Sequence, residues 1–250
     1  MNNKQFEQLR AEGFNRIPVY RSVLADLDTP LSVYLKLAEG VNSYLLESVE
    51  GGETWGRYSI IGLPCERRYT VRGHTLSVFD NGVLVDEETV SDPLARITEL
   101  QKEFNVPRLE ELPLFSGGLV GYFGYETVQL IEPRLAAIDK RDDLGTADIE
   151  LLLSEEVAVL DNLEGRLWLI VHADPGQPGA FIRAQQRLDE LEQELRSAGT
   201  GYGLRLSGEP VKEADFSYGF EREDFVSAVE KSKEYILAGD VMQVVLSQRM

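Results

Sequence analysis

The sequence is poor in cysteine and histidine, which excludes several kinds of site. Cys65 is the only cysteine among the 250 residues, so an internal disulfide framework is excluded and a reducing compartment is expected. Because no helix start or histidine accompanies Cys65 in the sequence, we predict a packed or half-exposed thiol rather than a nucleophile. The two histidines, His74 and His172, lie far apart in the chain. Their spacing is not typical of a zinc site.

Basic residues are also scarce. The chain has 25 Lys and Arg against 43 Asp and Glu, which gives a formal net charge of −18. Since nucleic-acid binding depends on clustered basic residues, this composition argues against it. The sequence has no apolar run of membrane-spanning length, and its first residues have no signal-peptide core. We therefore expect a cytoplasmic protein without nucleic-acid or membrane partners.

Turn signals between apolar segments predict antiparallel sheets. Asn81-Gly82 is the strongest short-range hairpin signal in the sequence. Residues 149–161 and 166–173 are predicted to form a second hairpin across the turn 162–165. Proline at the first helical position predicts helices beginning near residues 30 and 93. These signals indicate an α+β fold, with mainly antiparallel sheets in a sandwich flanked by helices.

Composition predicts three parts along the chain. Residues 1–198 are expected to form the first domain, and residues 199–220 are expected to form a linker because that segment lacks clear periodicity. In residues 221–250, apolar spacing predicts a helix that ends at Gly239. A strand is predicted at 241–248.

The glycine-rich segment SGGLVGYFGYE, residues 116–126, has two interpretations. Its glycines could form a phosphate-binding loop, or they could allow a strand to pack closely against another surface. The segment lacks the P-loop lysine, and it is not followed by the helix that a dinucleotide site requires. We therefore predict close strand packing.

Residues 44–62, YLLESVEGGETWGRYSIIG, combine two apolar strand-like runs with a polar bend between them. Glu47, Ser48, Trp55 and Arg57 cluster around the bend. An acid, a hydroxyl, an indole and a guanidinium together could hold a small zwitterion. Composition alone favours a solvated bend over a binding site, and a strand tryptophan more often fills a core.

Residues 44–62 resemble the amino-terminal part of the anthranilate synthase large subunits, in the chorismate-utilising enzyme family. SGGLVGYFGYE and the closing QVVLSQR, residues 243–249, match the same proteins in the same order. The resemblance implies a feedback site for tryptophan that contains Glu47, Ser48, Arg57 and Tyr58. It implies allosteric inhibition, in which tryptophan binds one of two states more tightly.

The resemblance also implies an activity for the complete subunit. Such a subunit converts chorismate and ammonia into anthranilate and pyruvate, with Mg²⁺, and a glutamine amidotransferase subunit supplies the ammonia. Residues 221–250 would begin the chorismate-binding domain. The Mg²⁺ ligands would lie beyond Met250, so this chain is expected to hold no metal and to be inactive alone.

Gln243 is the candidate catalytic position in this chain. Relatives that add water to chorismate have a lysine before the matching V-V-L, whereas the ammonia-using anthranilate synthases resemble this chain in having glutamine. A neutral amide cannot take a proton from water at neutral pH, so glutamine favours ammonia as the nucleophile. A polar residue on a half-buried strand is an equally good interpretation.

Two alternatives remain open from the sequence. The large subunit of aminodeoxychorismate synthase shares the LLES-like segment, and its product depends on a motif outside this chain. The chain could instead be a stand-alone amino-acid-binding module without catalysis.

Overall fold

A computed structural model describes residues 1–47, 56–136, 142, 144–197 and 211–249. The chain divides into two compact units, Met1–Thr200 and Gly201–Met250. In the first unit the strands are β1 (Ile17–Leu24), β2 (Tyr44–Glu47), β3 (Tyr58–Gly62), β4 (Arg67–Arg72), β5 (Thr75–Asp80), β6 (Val83–Thr89), β7 (Gly118–Phe123), β8 (Ile149–Ser154), β9 (Glu156–Asp161) and β10 (Arg166–Ala173).

The helices of the first unit are α1 (Asn3–Ala11), α2 (Pro30–Leu37), α3 (Pro93–Lys102), α4 (Pro133–Ala136) and α5 (Ala180–Arg196). Proline stands in the first turn of α2 and α3, as predicted, and the side chains of Thr29 and Asp92 cap these two helices.

The strands form two antiparallel sheets. The first sheet has the order β1-β10-β9-β3-β2, and the second has the order β6-β5-β4-β8-β7. Both predicted hairpin turns are confirmed, since β5 pairs with β6 and β9 pairs with β10. Asn81 and Gly82 both have positive φ angles, 47° and 78°, as a type I′ turn requires. The α+β class is therefore confirmed.

The prediction of one continuous strand at 149–161 is wrong. β8 ends at Ser154 in the second sheet, and β9 begins at Glu156 in the first sheet. The chain changes sheets at Glu155, a position that the apolar pattern does not mark because both flanking segments are buried. As a result, the ends of the two sheets lie close together around this residue.

Each sheet is covered by its own helices. One face of the first sheet packs against α1, α2 and α5, through Phe6, Val33 and Leu188. Its opposite face buries Val157, Val159 and Ile170, with Tyr58, Ile60, Trp168 and Phe115 packed against them. The second sheet packs against Ile97 and Leu100 of α3. Burial of each large aliphatic side chain contributes about 1.5–3 kcal/mol to stability.

The second unit contains α6 (Arg222–Ala238), which ends at Gly239 in the left-handed conformation, as predicted. The predicted strand at 241–248 is wrong, because residues 241–249 have no helix or strand. A β-strand needs a neighbouring strand for its backbone hydrogen bonds, and the described part of this unit offers none. No helix within the described residues is long and apolar enough to cross a membrane.

Candidate functional site

The two β segments singled out in the sequence are neighbours in the first sheet. β2 pairs with β3 in the register Tyr44↔Gly62 to Glu47↔Ser59. The ring of Tyr44 lies so close over Gly62 that a Cβ at Gly62 would overlap it. The Tyr44 hydroxyl is 2.8 Å from Oγ of Ser154 at the end of β8. Burial raises the pKa of Tyr44 to about 12, so its hydroxyl stays protonated and this link joins β2 to the second sheet.

The structure places the predicted ligand residues at different positions around this strand pair. Successive side chains of a strand point to opposite faces. Glu47 faces Ser59 across the pair, on the face where Leu45 packs against the helices, and its side chain is exposed. Tyr58 lies on the opposite face. Ser48 and Trp55 lie outside the described residues.

Arg57 and Tyr58 are brought together at the start of β3. The Arg57 guanidinium carbon lies 4.9 Å from the centre of the Tyr58 ring, a cation–π contact. Nε and Nη2 of Arg57 donate to Oδ2 of Asp161 at 3.0 and 2.8 Å. Nη2 also donates to Oε1 of Glu164 at 3.2 Å. The guanidinium is therefore held in a defined orientation.

Sequence reasoning predicted the turn between β9 and β10 but missed that residues 161–164 hold Arg57. Asp161 is 2% exposed, and its Oδ1 accepts the backbone N–H groups of Leu163 and Glu164. Burial alone would raise the pKa of Asp161, but the hydrogen bonds from Arg57, Glu164 and Leu163 outweigh burial and hold the pKa below 3.8. The Asp-Asn turn start was visible in the sequence. The ion pair between Asp161 and Arg57 was not visible there.

A cavity of about 280 Å³ lies at the junction of the two sheets, away from Arg57 and Tyr58. Its lining includes Arg16, Phe104, Gly117, Leu153 and His172. Nε of Arg16 donates to a Glu155 carboxylate oxygen at 2.7 Å, and its guanidinium carbon lies 5.6 Å from the centre of the Phe104 ring.

Close packing explains the glycines beside this cavity, as predicted. A Cβ at Gly117 would lie 2.6 Å from Nε2 of His172 and 2.8 Å from the Ser154 carbonyl oxygen. Gly117 also has a φ of 146°, which favours glycine. At Gly121 a Cβ would overlap the carbonyl oxygen of Glu150.

His172 is a partly buried imidazole that connects β10 to residue 116. Its Nε2 is 2.7 Å from the Ser116 carbonyl oxygen; since a carbonyl can only accept, Nε2 carries the proton. Burial lowers the pKa of His172 below 6.5, and nearby Arg16 lowers it further, while the Ser116 carbonyl and Glu155 act in the opposite direction. The ring is therefore neutral at pH 7.

Because burial keeps the His172 ring neutral, we predict that the free energy of unfolding falls at acidic pH. Because the pKa of His172 is lower in the folded state than its unfolded value of 6.5, the unfolded state binds more protons between the two values. Stability contributed by the neutral ring should be complete above pH 6.5. Below that pH, urea denaturation should show a loss of up to about 1.4 kcal/mol per pH unit.

The matched control is His172→Gln, which keeps an N–H donor for the Ser116 carbonyl and does not titrate. Its unfolding free energy should change less between pH 7.5 and pH 5.5 than that of the wild type. Equal pH dependence in the two proteins would show that His172 does not contribute it.

The Cys65 thiol is buried. Sγ donates to the Leu63 carbonyl at 3.3 Å, and burial raises the pKa of the thiol to about 11. Because the thiolate is the reactive form, this cysteine is unreactive at neutral pH.

The described ranges contain no cluster of side chains arranged as a metal centre. Within them, no group of three or more His, Cys, Asp or Glu side chains lies close enough together to hold a metal ion. Gln243 is exposed in the second unit, in the segment without helix or strand.

Comparisons with known proteins give the family. A family model described as chorismate binding enzyme matches residues 49–250. Anthranilate synthase component 1 of Pseudomonas aeruginosa is 51% identical over 251 residues, which cover 100% of this chain and 51% of the relative. The protein of the same name from Neisseria meningitidis is 47% identical, over 100% of this chain and 50% of the relative.

The fold has a counterpart among solved structures. Anthranilate synthase component I from Streptococcus pneumoniae superposes with a TM-score of 0.57 at 23% identity, covering 87% of this chain and 46% of the other. The chain spans about half the length of the curated relatives it matches. Because the family model covers most of the sequence, the chain belongs to the family of chorismate-binding enzymes.

Proposed function

We propose that this chain is the amino-terminal, tryptophan-sensing part of an anthranilate synthase component I. The observation that carries this proposal is the similarity along the whole chain to proteins named anthranilate synthase component 1. Neither alternative, the aminodeoxychorismate synthase subunit or the stand-alone module, is favoured by relatives with these names. Residues 1–198 form the regulatory domain, 199–220 the linker and 221–250 the start of the chorismate-binding domain.

The complete subunit acts on chorismate and ammonia in tryptophan biosynthesis and releases anthranilate and pyruvate. A glutamine amidotransferase subunit supplies the ammonia, and Mg²⁺ is bound by the other half of the subunit. This chain alone is inactive, since the residues that would hold the metal and anchor the substrate lie outside it. The protein acts in the cytoplasm.

Gln243 contributes to the choice of nucleophile. Its side-chain amide has no charge and can both donate and accept hydrogen bonds. It can orient ammonia, which is already a good nucleophile, but it cannot act as the base that water would require.

Tryptophan binds where β2 ends and β3 begins. Tyr58 supplies an aromatic face, and the Arg57 guanidinium binds the carboxylate of the ligand. Glu47, exposed at the end of β2, is available for the ammonium group, and Ser48, the next residue in the chain, is the remaining ligand residue. Tryptophan then shifts the subunit toward an inhibited state because it binds that state more tightly.

Calorimetric titration of tryptophan into the intact subunit tests this site. Ser48→Phe should abolish detectable binding, because a bulky ring occupies space that the ligand needs. Thr89→Phe, at the exposed end of β6, is the matched control and should bind like the wild type. Unchanged tryptophan affinity in Ser48→Phe would refute the site.

A further inference from the structure

The side chain that recognises a ligand carboxylate must itself be held in place. Of the three guanidinium nitrogens of Arg57, Nε and Nη2 both donate hydrogen bonds to Asp161. Within the described part of the chain, Nη1 makes no hydrogen bond. The guanidinium is thus fixed along one edge and keeps N–H donors on another nitrogen.

The backbone around Arg57 is attached to the same turn. The backbone N–H of Asn162 donates to the Arg57 carbonyl at 2.8 Å, and Nδ2 of Asn162 donates to the Gly56 carbonyl at 3.0 Å. Tyr58 pairs with Asp161 in the sheet. Residues 56–58 therefore follow the position of the 161–164 turn.

We infer that Asp161 is the positioning residue of the amino-acid site. It orients Arg57 so that Nη1 can donate a hydrogen bond to the carboxylate of the ligand. This inference rests on the proposed function, because it concerns the same site. The two carboxylate oxygens of Asp161 have different partners. Oδ2 holds the guanidinium, while Oδ1 keeps the turn rigid through two backbone N–H groups.

Because the buried Asp161 carboxylate orients Arg57, the site is expected to select ligands that have a carboxylate. A free arginine side chain samples many rotamers, and ordering it would reduce the affinity that it provides. Held by Asp161, the guanidinium meets a carboxylate at little entropic cost. The site should therefore select α-amino acids over amines that have the same ring and lack a carboxylate.

The test compares tryptophan with tryptamine, which lacks the carboxylate, on the intact subunit by calorimetry and ligand-observed NMR. Asp161→Asn should raise the Kd for tryptophan about tenfold or more, as expected for a weakened charge-assisted hydrogen bond. Its Kd for tryptamine should change less than about twofold on the same reasoning. Asp80→Asn breaks another Arg–Asp ion pair, Arg67–Asp80 at 2.8 Å in the second sheet, and is the matched control; it should bind both ligands like the wild type.

A double-mutant cycle separates positioning from a merely structural role. In an Arg57→Gln background, Asp161→Asn should no longer change the Kd for tryptophan, because the side chain that it orients is gone. If Asp161→Asn weakens both ligands equally, or weakens tryptophan in the Arg57→Gln background as well, Asp161 only supports the turn and the inference is wrong.

Three further outcomes are distinguishable. If Asp161→Asn does not fold, Arg57→Lys tests the same contact, since lysine keeps the charge and loses the planar fork; it should weaken tryptophan more than tryptamine, and equal effects would overturn the inference. If the wild type binds no tryptophan, the proposed function fails as well. If it binds tryptophan and Asp161→Asn binds it equally well, only the inference fails.

Discussion

Gly121→Ala is expected to destabilise the first unit by about 3 kcal/mol or more, because the added carbon overlaps the backbone of the neighbouring strand. The nearest atoms to a Cβ at Gly121 are the carbonyl group of Glu150 and Cα of Leu151 in β8. Backbone atoms cannot move away as a flexible side chain can. Strands β7 and β8 would have to separate at the edge of the second sheet.

Thermal unfolding measured by circular dichroism checks this expectation. Gly176→Ala is the matched control, since its nearest neighbour would be the Asp174 side chain at 3.1 Å and its backbone is not in the left-handed region. It should melt close to the wild-type temperature. A Gly121→Ala protein with an unchanged melting temperature would mean that β7 and β8 are not packed as described.

Gly62→Ala is expected to displace the Tyr44 ring and release the start of β2. The new methyl group would occupy the space of the ring, so the ring would have to leave its partly buried position and give up its contact with Ser154. Loss of one hydrogen bond and of aromatic burial should cost about 2 kcal/mol. Tryptophan should also bind more weakly, since β2 carries Glu47.

The control for Gly62→Ala is the same change in a Tyr44→Ala background. There the methyl group meets no ring, so Gly62→Ala should have little further effect on stability, and the two single effects should not add. Tyr44→Phe, which removes only the hydroxyl, should be milder than Gly62→Ala. Additive effects in the double mutant would show that Tyr44 does not cover Gly62.

Sequence signals predicted those elements of the fold that depend on neighbouring residues in the chain. The Asn81-Gly82 turn and the helix end at Gly239 follow from the backbone preferences of asparagine and glycine. The change of sheet at Glu155 did not follow, because the apolar pattern continues on both sides. The strand predicted at 241–248 failed since pairing needs a partner that periodicity cannot supply.

The candidate site was predictable only in part. The neighbouring strands β2 and β3 followed from two apolar runs around a polar bend, and the pairing is confirmed. The role of Asp161 could not be predicted, because it stands 104 residues after Arg57 in the chain and only the order of strands in the sheet brings the two together. The side chains of Glu47 and Tyr58 also lie on different faces of the first sheet. Amino-acid composition alone does not predict this.

A crystal structure of the intact protein grown with tryptophan tests the proposed tryptophan site. We expect the indole at the end of β2 beside Tyr58, with the carboxylate within hydrogen-bond distance of Arg57. Tryptophan bound instead in the cavity beside Arg16 and His172, or absent from crystals grown at saturating concentration, would show that β2 and β3 do not form the tryptophan site.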